Sequence, residues 1–422
     1  MRPDQVFGIS PEVRENSYVD RGNLDDEMSV MLARPIHIAV RGPSKSGKSW
    51  LRQKVLDNPI TVQCRLKKPF TEIYVDALSQ LDINIQIKES HQGVFKASIS
   101  AMGKAGATIL AKVGLTGSMG RETTSSTDQK IAGHDIHDLR YIADIIKASG
   151  RRLVIEDFHY MSTADRRNFA FDLKALWDYR VFVVIIGVWS ETNLLLHLNP
   201  DLTGRVKEIS IDWVRKDLLE ILTKGGVALH IDFSPTVQNM LVDLSYTNAG
   251  LLQALTLHTL DEANISGKDK HNTVDKADYV EGASMTYAEE LNPLYQQFAK
   301  RVAAGVRTRK NSTGIYAHAM AVIMEATDEE LVKGLNARTI YERAVIRQER
   351  IQYNNLKAIL EQLEGLQVDD DGRGLIIGYS TATEEITIVD RQLLLYRRFA
   401  TVKWPWEALI LEAEEQGGQV EA

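Results

Sequence analysis

The residues Pro35-Ile-His-Ile-Ala-Val-Arg41 run directly into Gly42-Pro-Ser-Lys-Ser-Gly-Lys-Ser49, and this junction decides the fold. The apolar residues Ile36, Ile38 and Val40 predict a buried strand. The next eight residues fit the pattern G-x-x-x-x-G-K-[ST], and residues 50–56 have the composition of a helix. A strand, a glycine-rich loop and a helix in this order are the context that the motif requires.

Each residue type in this loop, residues 42–49, has a physical role in holding an anion. Glycines let the backbone approach phosphate oxygens, and the amides at the start of the following helix point at the anion. We expect Lys48 to reach the β- and γ-phosphates of a nucleotide and Ser49 to be a ligand of Mg²⁺. The predicted nucleotide-binding residues of the loop are Gly42, Pro43, Ser44, Lys45, Ser46, Gly47, Lys48, Ser49 and Trp50.

A second acidic element follows the short apolar strand at residues 153–155. It consists of Glu156 and Asp157, and carboxylates in such a place can hold Mg²⁺ and orient a water molecule. By position Glu156 is the metal-side acid and Asp157 the catalytic base. A register shift of one residue would reassign the pair, so both assignments stay open. His159 is predicted to pack or to hydrogen bond rather than to catalyse.

Strand patterns also occur at residues 60–64, 181–188 and 208–213, with helical patterns at 138–149 and 164–179 between them. Strands that alternate with helices imply a parallel sheet covered by helices on both faces. The predicted fold class is therefore α/β, a P-loop NTPase sheet with helices on both faces.

Composition sets the outer limits. The 422 residues carry a net charge of −7, 44% are hydrophobic, and Cys64 is the only cysteine. These values exclude a fully disordered chain, a collagen-like fibre, a disulfide scaffold and a uniformly basic nucleic-acid binder. The longest apolar run, residues 181–189, is too short for a membrane span, and the N-terminus lacks a signal-peptide core. We expect a cytoplasmic protein with no membrane partner.

With these motifs in place, the chain resembles the AAA+ ATPases, and within them the replication-initiator and STAND (signal-transduction ATPase) branches, over about residues 18–263. The segment Ser17-Tyr-Val-Asp-Arg-Gly-Asn-Leu24 resembles the family's box near the adenine, which implies that Tyr18 and Arg21 contact the nucleotide. The family resemblance implies ATP rather than GTP, Mg²⁺ as cofactor and a homo-oligomer.

Two further catalytic residues come from the same resemblance. The family places a polar sensor of the γ-phosphate after the long apolar strand, which implies Ser190, with Glu191 and Asn193 as alternatives. Gly204-Arg205-Val206 resembles an element whose arginine projects into a neighbouring subunit's site, so Arg205 is the implied arginine finger. The lid, residues 217–263, carries Gly250-Leu-Leu-Gln253 where the family often has a second sensor arginine. This substitution argues against a nucleotide contact from the lid and favours a slow switch over a fast motor.

The chain divides on these patterns into six predicted parts. They are an N-terminal segment (1–34), an ATPase core (35–213) with an acid-poor insertion (about 91–130), a helical lid (214–268), a helical linker (269–310), a winged-helix-like α+β domain (311–406) and an acidic tail (407–422). Strands are expected in the winged-helix-like domain at 366–369, 374–379 and 386–389. Its candidate DNA-facing residues are Arg347, Arg350, Gln352, Asn354, Asn355 and Lys357.

Three hypotheses of function remain at this stage. The first is an ATP-hydrolysing, nucleotide-controlled oligomer that acts as a switch or regulator. The second is a defence or signalling ATPase with little turnover, which recruits a separate effector protein, since the chain has no nuclease, protease or deaminase pattern of its own. The third is a DNA-binding initiator or transposition-type ATPase that uses the winged helix.

Overall fold

The computed structural model describes residues 1–65, 68–89, 95–113, 138–189, 191–267, 270–304, 314–367, 375–381, 383–400, 404–408 and 410–411. Within these ranges every helix is too short or too polar to traverse a lipid bilayer. Of the predicted insertion at 91–130 the structure describes residues 95–113, and of the predicted acidic tail at 407–422 it describes 407, 408, 410 and 411.

The first half of the chain alternates strands with helices. Its elements are α1 (Leu24–Leu32), β1 (His37–Arg41), α2 (Lys48–Val55), β2 (Ile60–Gln63), α3 (Glu72–Ser79), β3 (Ile83–Glu89), β4 (Phe95–Ala101), α4 (Lys104–Lys112), α5 (Leu139–Ser149), β5 (Leu153–Glu156), α6 (Thr163–Asp178), β6 (Val183–Gly187), α7 (Leu194–Leu198) and β7 (Val206–Ser210). Five strands form one parallel sheet in the order β2-β5-β6-β1-β7, and β3 with β4 forms a separate antiparallel hairpin. The predicted α/β fold class is confirmed.

The two faces of the central sheet bury different sets of apolar side chains. On one face Ile38 and Val40 of β1 belong to a core that continues into the lid. On the other face Ala39 joins a second core with side chains from α3, α5 and α6. Alternate residues of a strand point to opposite faces, so one short strand contributes to both cores. The β6 strand is buried along its whole length, as its continuous apolar run predicts.

A buried histidine attaches β1 to its neighbours. His37 Nδ1 accepts a hydrogen bond from the Val183 amide at 2.9 Å, and Nε2 donates to the Leu173 carbonyl at 2.9 Å. Burial lowers the pKa of His37 to about 4, so the ring is neutral and both nitrogens are satisfied. This contact ties β1, and with it the loop at 42–49, to β6 and α6.

The lid follows the sheet and ends in a long helix. Its elements are α8 (Arg215–Leu229), β8 (Ile231–Phe233), α9 (Pro235–Leu244), α10 (Ala249–Glu262), β9 (Asn272–Val274) and α11 (Ala277–Ala304). The α11 helix lies where a linker is predicted, and it buries one apolar face that includes Val280, Tyr295 and Phe298. Because α11 packs on α10 and on the helix Gln392–Phe399, it connects the lid to the C-terminal part.

The C-terminal unit, residues 314–411 where described, is α+β. Its elements are α12 (Ile315–Glu325), α13 (Asp328–Lys333), β10 (Leu335–Asn336), α14 (Ala337–Arg347), α15 (Tyr353–Gln367), β11 (Ile377–Ser380), β12 (Glu385–Ile388) and α16 (Gln392–Phe399). The three strands form an antiparallel sheet in the order β10-β12-β11. An α+β unit with an antiparallel sheet is thus present, and its assignment as a winged helix remains a prediction.

Two predicted strands differ from the structure. The strand expected at 366–369 is wrong for Leu366 and Gln367, which end α15. The buried Gln367 side chain donates to the Ile377 carbonyl and accepts from the Ile377 amide, both at 2.8 Å, so a side-chain amide takes the place of a strand neighbour beside β11. The strand expected at 208–213 occupies Val206–Ser210 instead, where it pairs with β1.

Candidate functional site

A cavity of about 260 Å³ lies at the carboxyl end of β1, and five parts of the chain line it. They are the loop at 42–49 with the start of α2, an N-terminal segment (residues 8–21), the segments that follow β5 and β6, the lid, and the C-terminal unit. From the predicted binding loop, Ser44, Lys45, Ser46, Gly47, Lys48, Ser49 and Trp50 line the cavity. Gly42 and Pro43 do not line it, but they contact Lys48 through their carbonyls.

The two motif glycines are required by close approach and by conformation. A Cβ on Gly42 would lie 3.0 Å from both Ile211 Cβ and Ser46 Oγ. Gly47 has φ +88° and is the residue from which α2 begins, so a side chain there would be strained. The first residues of α2, Lys48, Ser49 and Trp50, line the cavity, so the helix N-terminus, whose first amides have no partner within the helix, borders it.

Lys48 is folded back onto its own loop. Its Nζ donates to the Pro43 carbonyl at 2.6 Å and to the Gly42 carbonyl at 3.0 Å. Loss of water around the ammonium group lowers the pKa of Lys48 to about 7, while Asp157 and Glu156 act in the opposite direction. A phosphate group would supply the negative charge that the carbonyls provide only in part.

The acidic pair is divided between two surfaces. Asp157 lines the cavity, whereas Glu156, at the end of β5, accepts a hydrogen bond from Arg52 Nε at 3.1 Å and lines a shallow polar pocket elsewhere. Burial and the nearby Glu156 charge raise the pKa of Asp157 above its usual value, and Lys48 opposes them. Of the two acids, the structure therefore brings Asp157 to the cavity, and the division of metal and base roles within the pair stays a prediction.

The predicted sensor region is only partly described. Ser190 lies outside the described residues. Of the alternatives, Asn193 donates its backbone amide to Glu208 Oε2 at 3.0 Å, and neither Asn193 nor Glu191 is among the residues that line the cavity. Val188 does line the cavity, and its amide donates to His159 Nδ1 at 3.3 Å. Burial lowers the pKa of His159 to about 3, so this ring is a neutral hydrogen-bond partner.

Arg205 does not reach the cavity of its own chain. Its guanidinium carbon lies 4.8 Å from the centre of the Trp177 ring, and Nη1 donates to the Asp201 carbonyl. The side chain is partly exposed beside β7. A role in the site of a neighbouring subunit stays a prediction.

The N-terminal segment supplies more of the cavity than Tyr18 and Arg21. Both predicted residues line it, and Arg21 is only 8% exposed, with its guanidinium carbon 4.5 Å from the centre of the Trp213 ring. Within the described part of the chain, the Nε and Nη2 atoms of Arg21 have no hydrogen-bond partner. Gly8, Ile9 and Ser10, which the sequence did not predict, also line the cavity, together with Ser17 from the box at 17–24. The available signal was the apolar pair Val6-Phe7, which is fully buried.

The lid also contacts the phosphate-binding loop. Asn248 Nδ2 donates to the Ser44 carbonyl at 2.8 Å, and the Gly250 amide donates to the Lys45 carbonyl at 3.0 Å. A Cβ on Gly250 would lie 2.6 Å from that same carbonyl oxygen, so only glycine permits the contact. Gln253 lines the cavity one helical turn later. The lid therefore borders the cavity without the arginine that the family often has there, and whether it contacts a nucleotide stays a prediction.

The C-terminal unit closes the cavity, which the sequence did not predict. Leu375 and Val389 line it, and the Val389 carbonyl accepts a hydrogen bond from the Ser44 amide at 3.2 Å. Lys45 Nζ donates to Gln392 Oε1, and Arg391 Nη1 donates to the Tyr246 carbonyl at 2.6 Å. The run Asp390-Arg391-Gln392 between apolar segments is a weak signal that could have pointed to a polar contact.

Two of the predicted DNA-facing residues, Arg347 and Lys357, lie in ion pairs. Arg347 contacts Glu325, and Lys357 contacts Glu384. Three more pairs neutralise bases of the same unit: Arg343 with Glu330, Arg338 with Glu342 and Lys333 with Glu329. Asn354, Asn355 and Gln352 are exposed and uncharged.

Oxygen donors for a magnesium ion are present in the cavity. The Ser49 side chain and the Asp157 carboxylate both line it, and hydroxyl and carboxylate oxygens are the ligands that Mg²⁺ takes alongside water and phosphate. This donor set fits a nucleotide-bound ion. Among the described residues no group of three or more His, Cys, Asp and Glu side chains forms a separate metal site.

Comparison with known proteins gives likeness in structure only. No family model matches the sequence, and no curated protein matches it. The Orc1 protein of Aeropyrum pernix in complex with DNA is similar over 93% of this chain and 95% of that one, with 12% identity and a TM-score of 0.39. The Holliday junction branch migration motor RuvB of Thermotoga maritima is similar over 87% of this chain and 89% of that one, with 12% identity and a TM-score of 0.37.

A STAND protein of Pyrococcus horikoshii with a tetratricopeptide repeat sensor is similar over 94% of this chain, with 12% identity and a TM-score of 0.37. This chain spans 44% of that protein's length. All three are AAA+ P-loop ATPases, the class that the sequence motifs resemble. At TM-scores below 0.5 no function is transferred from them, and the fold assignment rests on the sheet order and the phosphate-binding loop of this chain.

Proposed function

We propose that this chain is an AAA+-type P-loop protein that binds ATP with Mg²⁺, hydrolyses it slowly, and uses the bound nucleotide as a switch. The observation that carries the proposal is the composition of the cavity. A phosphate-binding loop, an acid, a lid and the C-terminal unit meet around one space, and the C-terminal unit contacts the loop directly through Val389 and Ser44.

Binding of the triphosphate uses groups that already face the cavity. The amides at the start of α2 donate to phosphate oxygens, and Lys48 exchanges its carbonyl partners, Gly42 and Pro43, for a charged one. Ser49 and Asp157 supply oxygen ligands for the ion, which in turn neutralises charge on the phosphates. The apolar side chains of Ile9, Val19 and Ile221 line the same cavity and suit the base.

Slow hydrolysis follows from the number of acids on the nucleotide side. Asp157 faces the cavity, while Glu156 is held by Arg52. The sequence predicts that two acids share the tasks of holding the metal ion and orienting the attacking water. In the structure one carboxylate, Asp157, would have to do both. This arrangement supports a switch rather than a motor.

The contact between the C-terminal unit and the loop gives the switch an output. The Ser44 amide donates a hydrogen bond to the Val389 carbonyl, and Lys45 Nζ donates one to Gln392 Oε1, so both donors are already bonded to the C-terminal unit. A phosphate group that recruits these donors would compete with the C-terminal unit for them. We therefore propose that the triphosphate weakens the contact between the C-terminal unit and the loop. The released unit would then bind a second copy of the chain or an effector protein in the cytoplasm. In an assembly of copies, Arg205 would complete the nucleotide site of a neighbouring subunit.

The ion pairs of the C-terminal unit favour a protein partner over DNA. Arg347 and Lys357, which were candidates for phosphate contacts, are neutralised by Glu325 and Glu384. Electrostatic attraction to duplex DNA depends on unneutralised bases. A DNA-binding initiator role is therefore the weaker of the two output hypotheses.

The test is nucleotide binding and turnover in Lys48→Ala, with Lys174→Ala as a matched control. Lys174 lies on α6, pairs with Asp178 at 3.0 Å and does not line the cavity. We expect Lys48→Ala to abolish both binding of a fluorescent ATP analogue and phosphate release, while Lys174→Ala behaves as the wild type. Equal binding and turnover in wild type and Lys48→Ala would exclude the proposed site.

Oligomeric assembly is tested in the same preparation by sedimentation with and without a non-hydrolysable ATP analogue. We expect the analogue to shift the wild type to a larger species and to leave Lys48→Ala unchanged. Arg205→Ala should assemble but turn over more slowly, because an arginine finger acts on the transition state. Identical sedimentation with and without the analogue would remove oligomerisation from the proposal.

A further inference from the structure

The wall of the cavity that α10 forms contains a buried side chain with one acceptor atom that makes no hydrogen bond within the described part of the chain. Gln253, on α10, is 4% exposed and lines the cavity, and its buried Oε1 atom has no hydrogen-bond partner among the residues that the structure describes. A buried acceptor that lacks a partner costs free energy unless a ligand or water supplies a donor. Such an atom in the wall of a binding cavity is a candidate for ligand recognition.

The orientation of this amide is fixed by two neighbours. Gln253 Nε2 donates to Ser17 Oγ at 3.0 Å, and Ser17 Oγ donates its single proton to the Val6 carbonyl at 2.6 Å. Because the Ser17 proton is committed to Val6, Ser17 can only accept from Gln253. If the amide turned over, Oε1 would face the Ser17 lone pairs. The network therefore holds the oxygen as the free atom.

The walls around Gln253 identify what kind of donor is expected. Val19, Ile9 and Ile221 present apolar surface that suits an aromatic ring, and the phosphate-binding loop lies in the same cavity. A ring that presents an exocyclic amino group to Gln253 would satisfy Oε1. A ring that presents a carbonyl oxygen there would place two acceptors against each other.

We propose that Gln253 Oε1 accepts a hydrogen bond from the 6-amino group of the bound purine and so selects adenine over 6-oxopurines. This inference rests on the proposed function, since it assigns the base specificity of the same nucleotide site. Gln253 is then the specificity residue, and Ser17 is a positioning residue that acts through it. In place of a charged sensor, the lid contributes a neutral side chain that recognises the base.

The experiment compares the affinities of ATP, of inosine triphosphate and of purine riboside triphosphate for the full chain by calorimetry. We expect the wild type to bind ATP at least about tenfold more tightly than either analogue, because each leaves the acceptor without its donor. Gln253→Leu should bring the ATP-to-inosine-triphosphate ratio close to one. Gln362→Leu, the same substitution at an exposed position on α15, should leave the ratio unchanged.

A second variant keeps the proposal testable if Gln253→Leu fails to fold, as thermal melting would reveal. Ser17→Ala removes the bond that orients the amide, so its amino group can turn to the ligand. We expect tighter binding of inosine triphosphate and a lower ratio. The inference would be overturned, with the proposed function left standing, by a wild type that binds inosine triphosphate as tightly as ATP. The same holds if both Gln253→Leu and Ser17→Ala keep the wild-type ratio of the two affinities. A wild type that binds no nucleotide would overturn the proposed function as well.

Discussion

The backbone amide of Ser44, in the phosphate-binding loop, donates a hydrogen bond to the backbone carbonyl of Val389, in the C-terminal unit, at 3.2 Å. Ser44 also presents its own carbonyl to Asn248 of the lid at 2.8 Å. One residue of the loop is thus bonded to two later parts of the chain, and any ligand that moves this residue acts on both.

The first prediction concerns this contact. We expect a non-hydrolysable ATP analogue with Mg²⁺ to raise amide hydrogen exchange in residues 389–399, because the phosphate competes for donors that now bond Val389 and Gln392. ADP with Mg²⁺ serves as the matched ligand and should raise exchange less. Equal exchange in the free, ADP and analogue states would show that the C-terminal unit does not respond to the nucleotide.

The second prediction is a pH dependence of ATP binding. The pKa of Lys48 is about 7, and the protonated form binds phosphate. Below pH 7 the ammonium group is already charged, while above pH 7 binding must take up a proton. We therefore expect the affinity for MgATP to fall between pH 7.5 and 9, approaching tenfold per pH unit for a single linked proton.

Calorimetry in buffers of different ionisation enthalpy measures this proton directly. We expect uptake to approach one proton per bound nucleotide as the pH rises toward 9, and Lys48→Arg, which keeps its charge, to show much less. Binding by the wild type with no proton uptake at pH 8.5 would contradict the depressed pKa.

The third prediction separates the two acids. Asp157→Asn should lower the rate of hydrolysis by at least ~100-fold, because the carboxylate that orients water is lost. The same change should raise Tm at neutral pH. The folded pKa of Asp157 is raised, so its ionised form is less stable in the folded state than in the unfolded one. Asparagine also accepts the left-handed conformation of this position, φ +57°.

Glu156→Gln is the matched variant and should behave differently. It weakens the bond with Arg52, and we expect a loss of ~1–3 kcal/mol in the free energy of unfolding, with a smaller fall in turnover. Phosphate release and denaturant unfolding measure the two effects. If Glu156→Gln were the more inactive of the two and kept its stability, Glu156 would be the residue that acts on the nucleotide.

The fourth prediction concerns the lid. Gly250→Ala places a Cβ 2.6 Å from the Lys45 carbonyl oxygen, so α10 has to move away from the loop. We expect a loss of ~1–3 kcal/mol of stability and a clear drop in ATP affinity. Gly365→Ala is the control, since a Cβ at this exposed position in α15 meets nothing within 4 Å.

The control variant should gain about 0.5–1 kcal/mol from the removal of a helical glycine and should bind ATP as the wild type does. Denaturant unfolding and ATP titration compare the two variants. Unchanged ATP affinity in Gly250→Ala would mean that the lid is not coupled to the loop.

The parts of the fold that could be predicted from sequence are those whose signal is local. The strand at β1, the glycines that follow it and the apolar run of β6 each lie within about ten residues, and the alternation of strands and helices then defines the parallel sheet. Asp157 and Lys48 were found because their motifs are short.

The remaining parts of the site depend on contacts between distant residues. No pattern in the sequence around Val389 and Leu375 indicates that they line the same cavity as the loop at 42–49. The role proposed for Gln253 depends on its hydrogen bond with Ser17, which in turn donates to the Val6 carbonyl. Gln367 was predicted in a strand because its surroundings are apolar, yet its side chain imitates strand hydrogen bonds from the end of a helix.

The walls of the cavity come from residues 8–21, 44–50, 157–188, 213–253 and 375–389, which spread over nearly the whole chain. Contacts between residues so far apart in sequence form late in folding, after the local helices and the sheet. During synthesis the cavity cannot close until Val389 has left the ribosome. The enclosure therefore requires a chain that has been made at least as far as Val389, and a chain cut short after the lid would have the phosphate-binding loop without the C-terminal wall around it.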